Sequence, residues 1–194
     1  MSDCGCSDAA ERLQGRVLKV LLAINAVMFV VEVVVGWLAE STGLLGDSLD
    51  MLADALVYGI ALSAVGGAAA AKQRAARLSG AFQMILGFGV LLEVVRRLVH
   101  GSEPQSLLIM GIGAGALVAN IICLALIAKH RHGEAHMRAS WIFSANDVIA
   151  NLGVIISGAL VLMTGSHLPD LIAGTVIAGL VLWGGIRIIK DSSA

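Results

Sequence analysis

Charge is what this sequence has too little of. Asp, Glu, Lys and Arg together make up 14% of its 194 residues, where a soluble domain of that size carries roughly 25%. The shortage excludes a chain whose whole surface meets water. Cysteine is scarce as well: Cys4 and Cys6 form a C-x-C near the N-terminus and Cys123 stands alone, so no disulfide framework is implied. No basic stripe runs along the chain and the formal net charge is −1, so no nucleic-acid partner is expected. The N-terminal "MSDCGCSDAAERLQGR" is polar, and the apolar run after it is full-length without a small-residue cleavage site, which reads as a retained span rather than a signal peptide. Internal repeats are missing too, so inverted-repeat transporter architecture finds no support.

What is there is apolar sequence: 58% hydrophobic residues and 23 glycines, with a mean hydropathy of +0.89. The apolar stretches fall at Val17–Leu38, Leu44–Val65, Leu78–Val99, Ser106–Ala128, Ala139–Thr164 and Leu168–Ile189. Each is about 20 residues, enough at ~1.5 Å per residue to cross a hydrocarbon core of about 30 Å. The expected fold is an all-α membrane protein, a six-transmembrane-helix bundle. Residues 1–15 are expected as a tail bearing the Cys-x-Cys, 16–190 as one six-helix transmembrane domain and 191–194 as a C-terminal tail. Eleven of the thirteen Lys and Arg fall on one side of these spans, Arg96 and Arg97 being the exceptions. By the positive-inside rule both termini are therefore expected in the cytoplasm, with the chain in a bacterial inner membrane. Small residues such as "GIGAG" at Gly111–Gly115, and Gly184 with Gly185, are expected where helix backbones approach closely, within one chain or between two.

Polar residues inside the spans are where function belongs, because an ionised side chain at mid-bilayer costs about 2.5–3.5 kcal/mol even on the lenient insertion scale. Glu93 precedes Arg96 and Arg97 by three and four residues, so a local ion pair accounts for it. Asn25, Gln83 and Asn120 read as interhelical hydrogen-bonding residues. Cys123 reads as a small buried apolar residue, and His100 and His167 as interfacial ones. Glu32 lies deep with no basic residue in its span, and its partner cannot be named from the sequence.

Asp50 and Asp54 differ from these. Their i,i+4 spacing puts both carboxylates on one helix face, where they repel unless a cation sits between them. Asp147 and Asn151 repeat the spacing in the fifth span. Counted at ~1.5 Å per residue, the two pairs fall at matching depths near the membrane centre. If the second and fifth spans touch, Asp50, Asp54, Asp147 and Asn151 form an oxygen-rich cage for a divalent cation. Asp47 sits nearer the start of its span and reads either as a helix-end acid suited to the dipole or as an entrance residue that guides cations inward.

"GLLGDSLDMLADALVYGIAL" and "MRASWIFSANDVIANLGVIISG" resemble the second and fifth transmembrane segments of the cation diffusion facilitator family, and the resemblance covers nearly the whole chain. It implies a proton-coupled exporter of divalent transition metals, moving Zn, Co, Fe, Mn, Ni or Cd without a cofactor. It also implies a tetrahedral site built from i,i+4 pairs on the second and fifth helices. Asp50, Asp54 and Asp147 match three of the four positions; the fourth, a histidine in the family, is Phe143 here. Asn151, Asn146 or Ser144 then stand as substitutes, Asn151 first because it shares the face of Asp147. Losing imidazole weakens selection for zinc over harder ions. His130, His132 and His136 in "KHRHGEAHMR" resemble the family's histidine-bearing loop; they either feed metal to the pore or are solvated histidines of a basic loop. Cys4 and Cys6 are likewise either soft-metal capture ligands or incidental thiols. The chain ends soon after the sixth span, so it is expected to be a short form without the family's C-terminal cytoplasmic domain, any homodimer forming through the helices.

The expected function is divalent metal efflux by proton antiport with alternating access, with the lipid bilayer, metal ions and protons as partners. A membrane metal sensor or scaffold that binds without transporting is the alternative. An intramembrane enzyme is the remote one: no H-E-x-x-H occurs, and i,i+4 aspartates on one helix suit chelation better than proteolysis.

Overall fold

The structure, a computed structural model, describes residues 4–64, 69–128 and 135–191; side chains are described from residue 15 onward except at 61, 63–72, 75, 76, 79, 129–146 and 191–194. Six helices follow in order: α1 (Cys4–Leu38), α2 (Thr42–Ala64), α3 (Ala69–His100), α4 (Ser106–Ala128), α5 (Ala135–Thr164) and α6 (Leu168–Asp191). Each expected span lies within one of them, only the last residue of the second falling past the described end.

The helices are longer than the apolar runs. α1, α3 and α5 have 35, 32 and 30 residues, more than the roughly 20 a hydrocarbon core requires, because their polar ends continue as helix. The N-terminal segment expected as a tail is part of α1 back to Cys4. Among the described residues, four helices contain a stretch long and apolar enough to cross a membrane, within α1, α4, α5 and α6. α2 carries three acidic residues, Asp47, Asp50 and Asp54, within its apolar run.

The packing is that of a membrane protein. Large apolar side chains point outward, among them Trp37, Ile85, Leu92 and Met163, while Asn25, Glu32, Asp47, Gln83 and Asn151 are buried. α2 is the hub: it touches all five other helices, while α1 also packs on α4, α3 on α6, α4 on α5 and α5 on α6. Leu44, Leu45, Leu49, Val90, Ile109, Val154 and Ile177 fill one core, and Leu18, Leu21, Tyr58, Cys123 and Ile127 a second.

Glycine permits two close crossings. A Cβ on Gly80 of α3 would stand 2.9 Å from the carbonyl oxygen of Gly185 on α6, and one on Gly174 of α6 would stand 2.6 Å from the backbone of Thr42 on α2. In the Gly111–Gly115 stretch only Gly113 makes a close contact, with Val154 and Ile155 of α5; Gly111 and Gly115 have nothing within 4 Å and are exposed. Gly185 but not Gly184 meets a neighbouring backbone.

The helix ends are satisfied locally. Gly101 and Gly165 take positive φ after α3 and α5, and their N–H groups bond back to Arg97 and Val161 at 2.8 and 2.9 Å. A left-handed glycine of this kind stops a helix while supplying a donor to one of its last free carbonyls. At the end of α3, Glu93 accepts from Arg96 and Arg97 at 2.6–2.7 Å, the ion pair expected from its spacing.

Candidate metal-binding site

α2 places Asp47, Asp50, Asp54 and Tyr58 in successive turns along one side. The side meets α5, which runs antiparallel and brings Asp147 and Asn151 to it. Asp147 lines the same cavity as Asp50 and Asp54. Tyr58, one turn further along α2, donates its hydroxyl to Asp54 Oδ2 at 3.3 Å. The three carboxylates expected to converge line one cavity.

Asp50 and Asp54 are only partly buried because they line a cavity of about 920 Å³, which also touches Asp147, Gln83 and Ser157 and extends along α6 from Pro169 to Ile188. Its walls are otherwise mostly apolar. At the α6 C-terminal end, Arg187 lies over the Trp183 ring, 5.7 Å from its centroid.

Among the described residues no group of three or more His, Cys, Asp or Glu stands in a geometry that could hold a metal ion. Carboxylates bind a cation only when deprotonated, so metal and proton compete for such oxygens.

Asn151 is one helical turn from the position its depth suggested. Its Nδ2 donates to the Asp147 carbonyl at 2.8 Å and to Asp47 Oδ1 at 3.4 Å, while its Oδ1 has no hydrogen-bond partner. Asp47 is neither at the mouth of its helix nor at an exposed entrance: it is fully buried. The acid at the start of α2 comes instead from another helix. Asp170 of α6 accepts from the Thr42 and Gly43 backbone N–H groups and from the Ser41 and Thr42 hydroxyls at 2.5–3.2 Å.

The side chains of Phe143, Ser144, Asn146, His136, Cys4 and Cys6 lie outside the described residues, as do His130 and His132 altogether. Cys123 is buried, as expected, and receives a long hydrogen bond from Asn25 of α1 at 3.7 Å.

Residues 18–194 match the family model of the cation efflux transmembrane domain. The chain belongs to the cation efflux family. Among its relatives, the "Zinc transporter ZitB" of Yersinia pestis is 27% identical over 188 residues, covering 90% of this chain and 60% of that protein. The "Metal cation efflux system protein CzcD" of Cupriavidus metallidurans is 27% identical over 192 residues, covering 91% and 60%. A "Cadmium, cobalt and zinc/H(+)-K(+) antiporter" of Bacillus velezensis is 24% identical over 192 residues, covering 90% and 61%. This cation efflux chain thus spans about three-fifths of the length of the curated relatives it matches. Family membership makes it an integral membrane protein of a transporter family rather than an enzyme.

Three partnerships around these residues were not legible in the sequence. Tyr58 continues the Asp50, Asp54 progression at i+4, a spacing that could have drawn attention to it. Asp170 follows Pro169 at the head of α6, a usual place for an N-terminal acid, yet its partners Ser41 and Thr42 lie 129 and 128 residues earlier. Glu32 of α1 is fully buried beside Asp47, a pairing set only by how α1 lies on α2.

Proposed function

We propose that the chain exports divalent transition-metal cations across a bacterial plasma membrane in exchange for protons, by alternating access, with both termini in the cytoplasm. The observation that carries this reading is the convergence of Asp50, Asp54 and Asp147 from two antiparallel helices onto one cavity. Among the described residues, Arg96 and Arg97 pair with Glu93 and not with these aspartates. The relatives' names, zinc transporter and cadmium, cobalt and zinc antiporter, point the same way.

In this reading Asp50, Asp54 and Asp147 are the charged ligands, and Asn151, expected as the fourth, stands between them and Asp47. Asp47, Asn146 and Ser144 are further candidates, and His130, His132, His136, Cys4 and Cys6 are candidates for capture on the cytoplasmic side. Three carboxylates favour a divalent ion by charge, and the missing imidazole at Phe143 broadens the choice toward Mn²⁺, Fe²⁺ and Co²⁺. A cation arriving from the cytoplasm displaces protons from the carboxyls; protons from the far side then displace the cation, so the carboxyl cluster needs no separate proton site. The outward-facing Gly111 and Gly115 offer lipid-embedded backbone at which two copies would pack as a homodimer.

Metal flux into proteoliposomes under a pH gradient, read by an internal dye, tests the proposal. Asp54→Ala combined with Asp147→Ala abolishes gradient-driven flux. Undiminished transport would overturn the site, and metal binding without flux in the wild type would favour the sensor reading.

A further inference from the structure

Glu32 of α1 and Asp47 of α2 are each fully buried, on helices that pack together where Gly36, one turn after Glu32, meets Leu44, three residues before Asp47. Neither Glu32 oxygen has a hydrogen-bond partner, nor does Asp47 Oδ2. Asp47 Oδ1 receives only the 3.4 Å bond from Asn151. Elsewhere this chain treats a structural carboxylate quite differently. Glu93 is held by two arginines, and Asp170 takes up hydroxyl and backbone donors from three successive residues. Burying two acidic groups against each other without a donor is costly, and packing alone gives no reason for it.

The chemistry of the orphaned atoms names what would satisfy them. Glu32 Oε1 and Oε2, Asp47 Oδ2 and Asn151 Oδ1 are all oxygen and all lack partners. Oxygen-only donor sets suit hard cations, and two carboxylates match one divalent charge. Asp47 precedes Asp50 by three residues, about 4.5 Å along the helix axis. Asn151 joins the two places, since its Nδ2 bonds both the Asp147 carbonyl and Asp47.

We propose that Glu32 and Asp47, with Asn151 between them and the first cluster, form a second divalent-cation site one turn nearer the α2 N-terminus than Asp50 and Asp147. It rests on the transport reading in one respect, that its ion is cargo in transit. The site is weaker than the first because it has one carboxylate fewer, and a weaker station beside a stronger one lets like-charged ions hasten each other's release.

Mn²⁺ is the probe, because it is hard, divalent and paramagnetic. The purified full chain in lipid nanodiscs is titrated with Mn²⁺ and followed by electron paramagnetic resonance. The expected result is an isolated-ion signal at low loading and a spin-coupled pair at higher loading. Glu32→Gln and Asp47→Asn each remove the coupled pair and one bound Mn²⁺ per chain, while the isolated signal remains. A wild-type chain that never develops the coupled signal overturns the second site whatever the variants do. A coupled signal that survives both substitutions overturns its assignment to these residues. Asp54→Asn with Asp147→Asn reads out the other proposal separately: if that pair leaves the isolated-ion signal at low loading unchanged, the transport site is misplaced, whereas the second site is judged on Glu32 and Asp47.

Discussion

Asp170, in the first turn of α6, accepts the backbone N–H of Thr42 at the first turn of α2 at 2.6 Å. One carboxylate thereby caps a helix to which it does not belong, and fixes the end of α2 from which the aspartates are counted off. Ser41 completes the cap, its hydroxyl accepting the Leu44 N–H at 3.1 Å while donating to Asp170.

Asp170→Ala leaves buried donors at the head of α2 without an acceptor, at a cost of about 1–3 kcal/mol. Thermal unfolding in detergent is expected to show a lowered Tm, with Asp170→Asn intermediate. Gly174→Ala is expected to lower it too, because the new Cβ meets Thr42 backbone at 2.6 Å and the two helices must separate.

Tyr58→Phe removes the hydroxyl that orients Asp54. Groups that orient a metal ligand from behind are typically worth 10–100-fold in affinity; this 3.3 Å bond belongs at the low end. Metal titration of the purified variant is expected to show about tenfold weaker binding, and Asp54→Asn a larger loss.

Metal affinity is expected to fall as pH falls. The carboxyls of Asp50, Asp54 and Asp147 line one cavity, and a metal takes them only deprotonated. Calorimetry in buffers of different ionisation enthalpy is expected to show proton release on binding and a larger Kd at pH 6 than at pH 8. A pH-independent Kd with no proton release would contradict competition at these oxygens.

Phe143→His adds a borderline nitrogen donor one turn before Asp147 on α5. Competition between ions is expected to shift toward Zn²⁺ over Mn²⁺. If the ranking stays as it is in the wild type, the alignment of α5 with the family's metal-binding helix, or the role given to that position, is wrong.

The sequence by itself determined the number of helices, their approximate spans and which three carboxylates share a cavity. Each follows from local rules: apolar length against bilayer thickness, the i,i+4 face of Asp50 and Asp54, and the cost of a charge in hydrocarbon. Glu93 was explained for the same reason, its arginines being on its own helix. Only the tertiary structure decided what depends on how separate helices lie on one another. Counting residues inward put Asn151 level with Asp50, but the antiparallel packing of α2 and α5 sets it against Asp47. The partner of Glu32, the cap that Asp170 places on α2 and the burial of Asp47 depend on crossings that glycines such as Gly36 and Gly174 permit. A helix fixes which of its residues share a face; only contact with another helix fixes what that face meets.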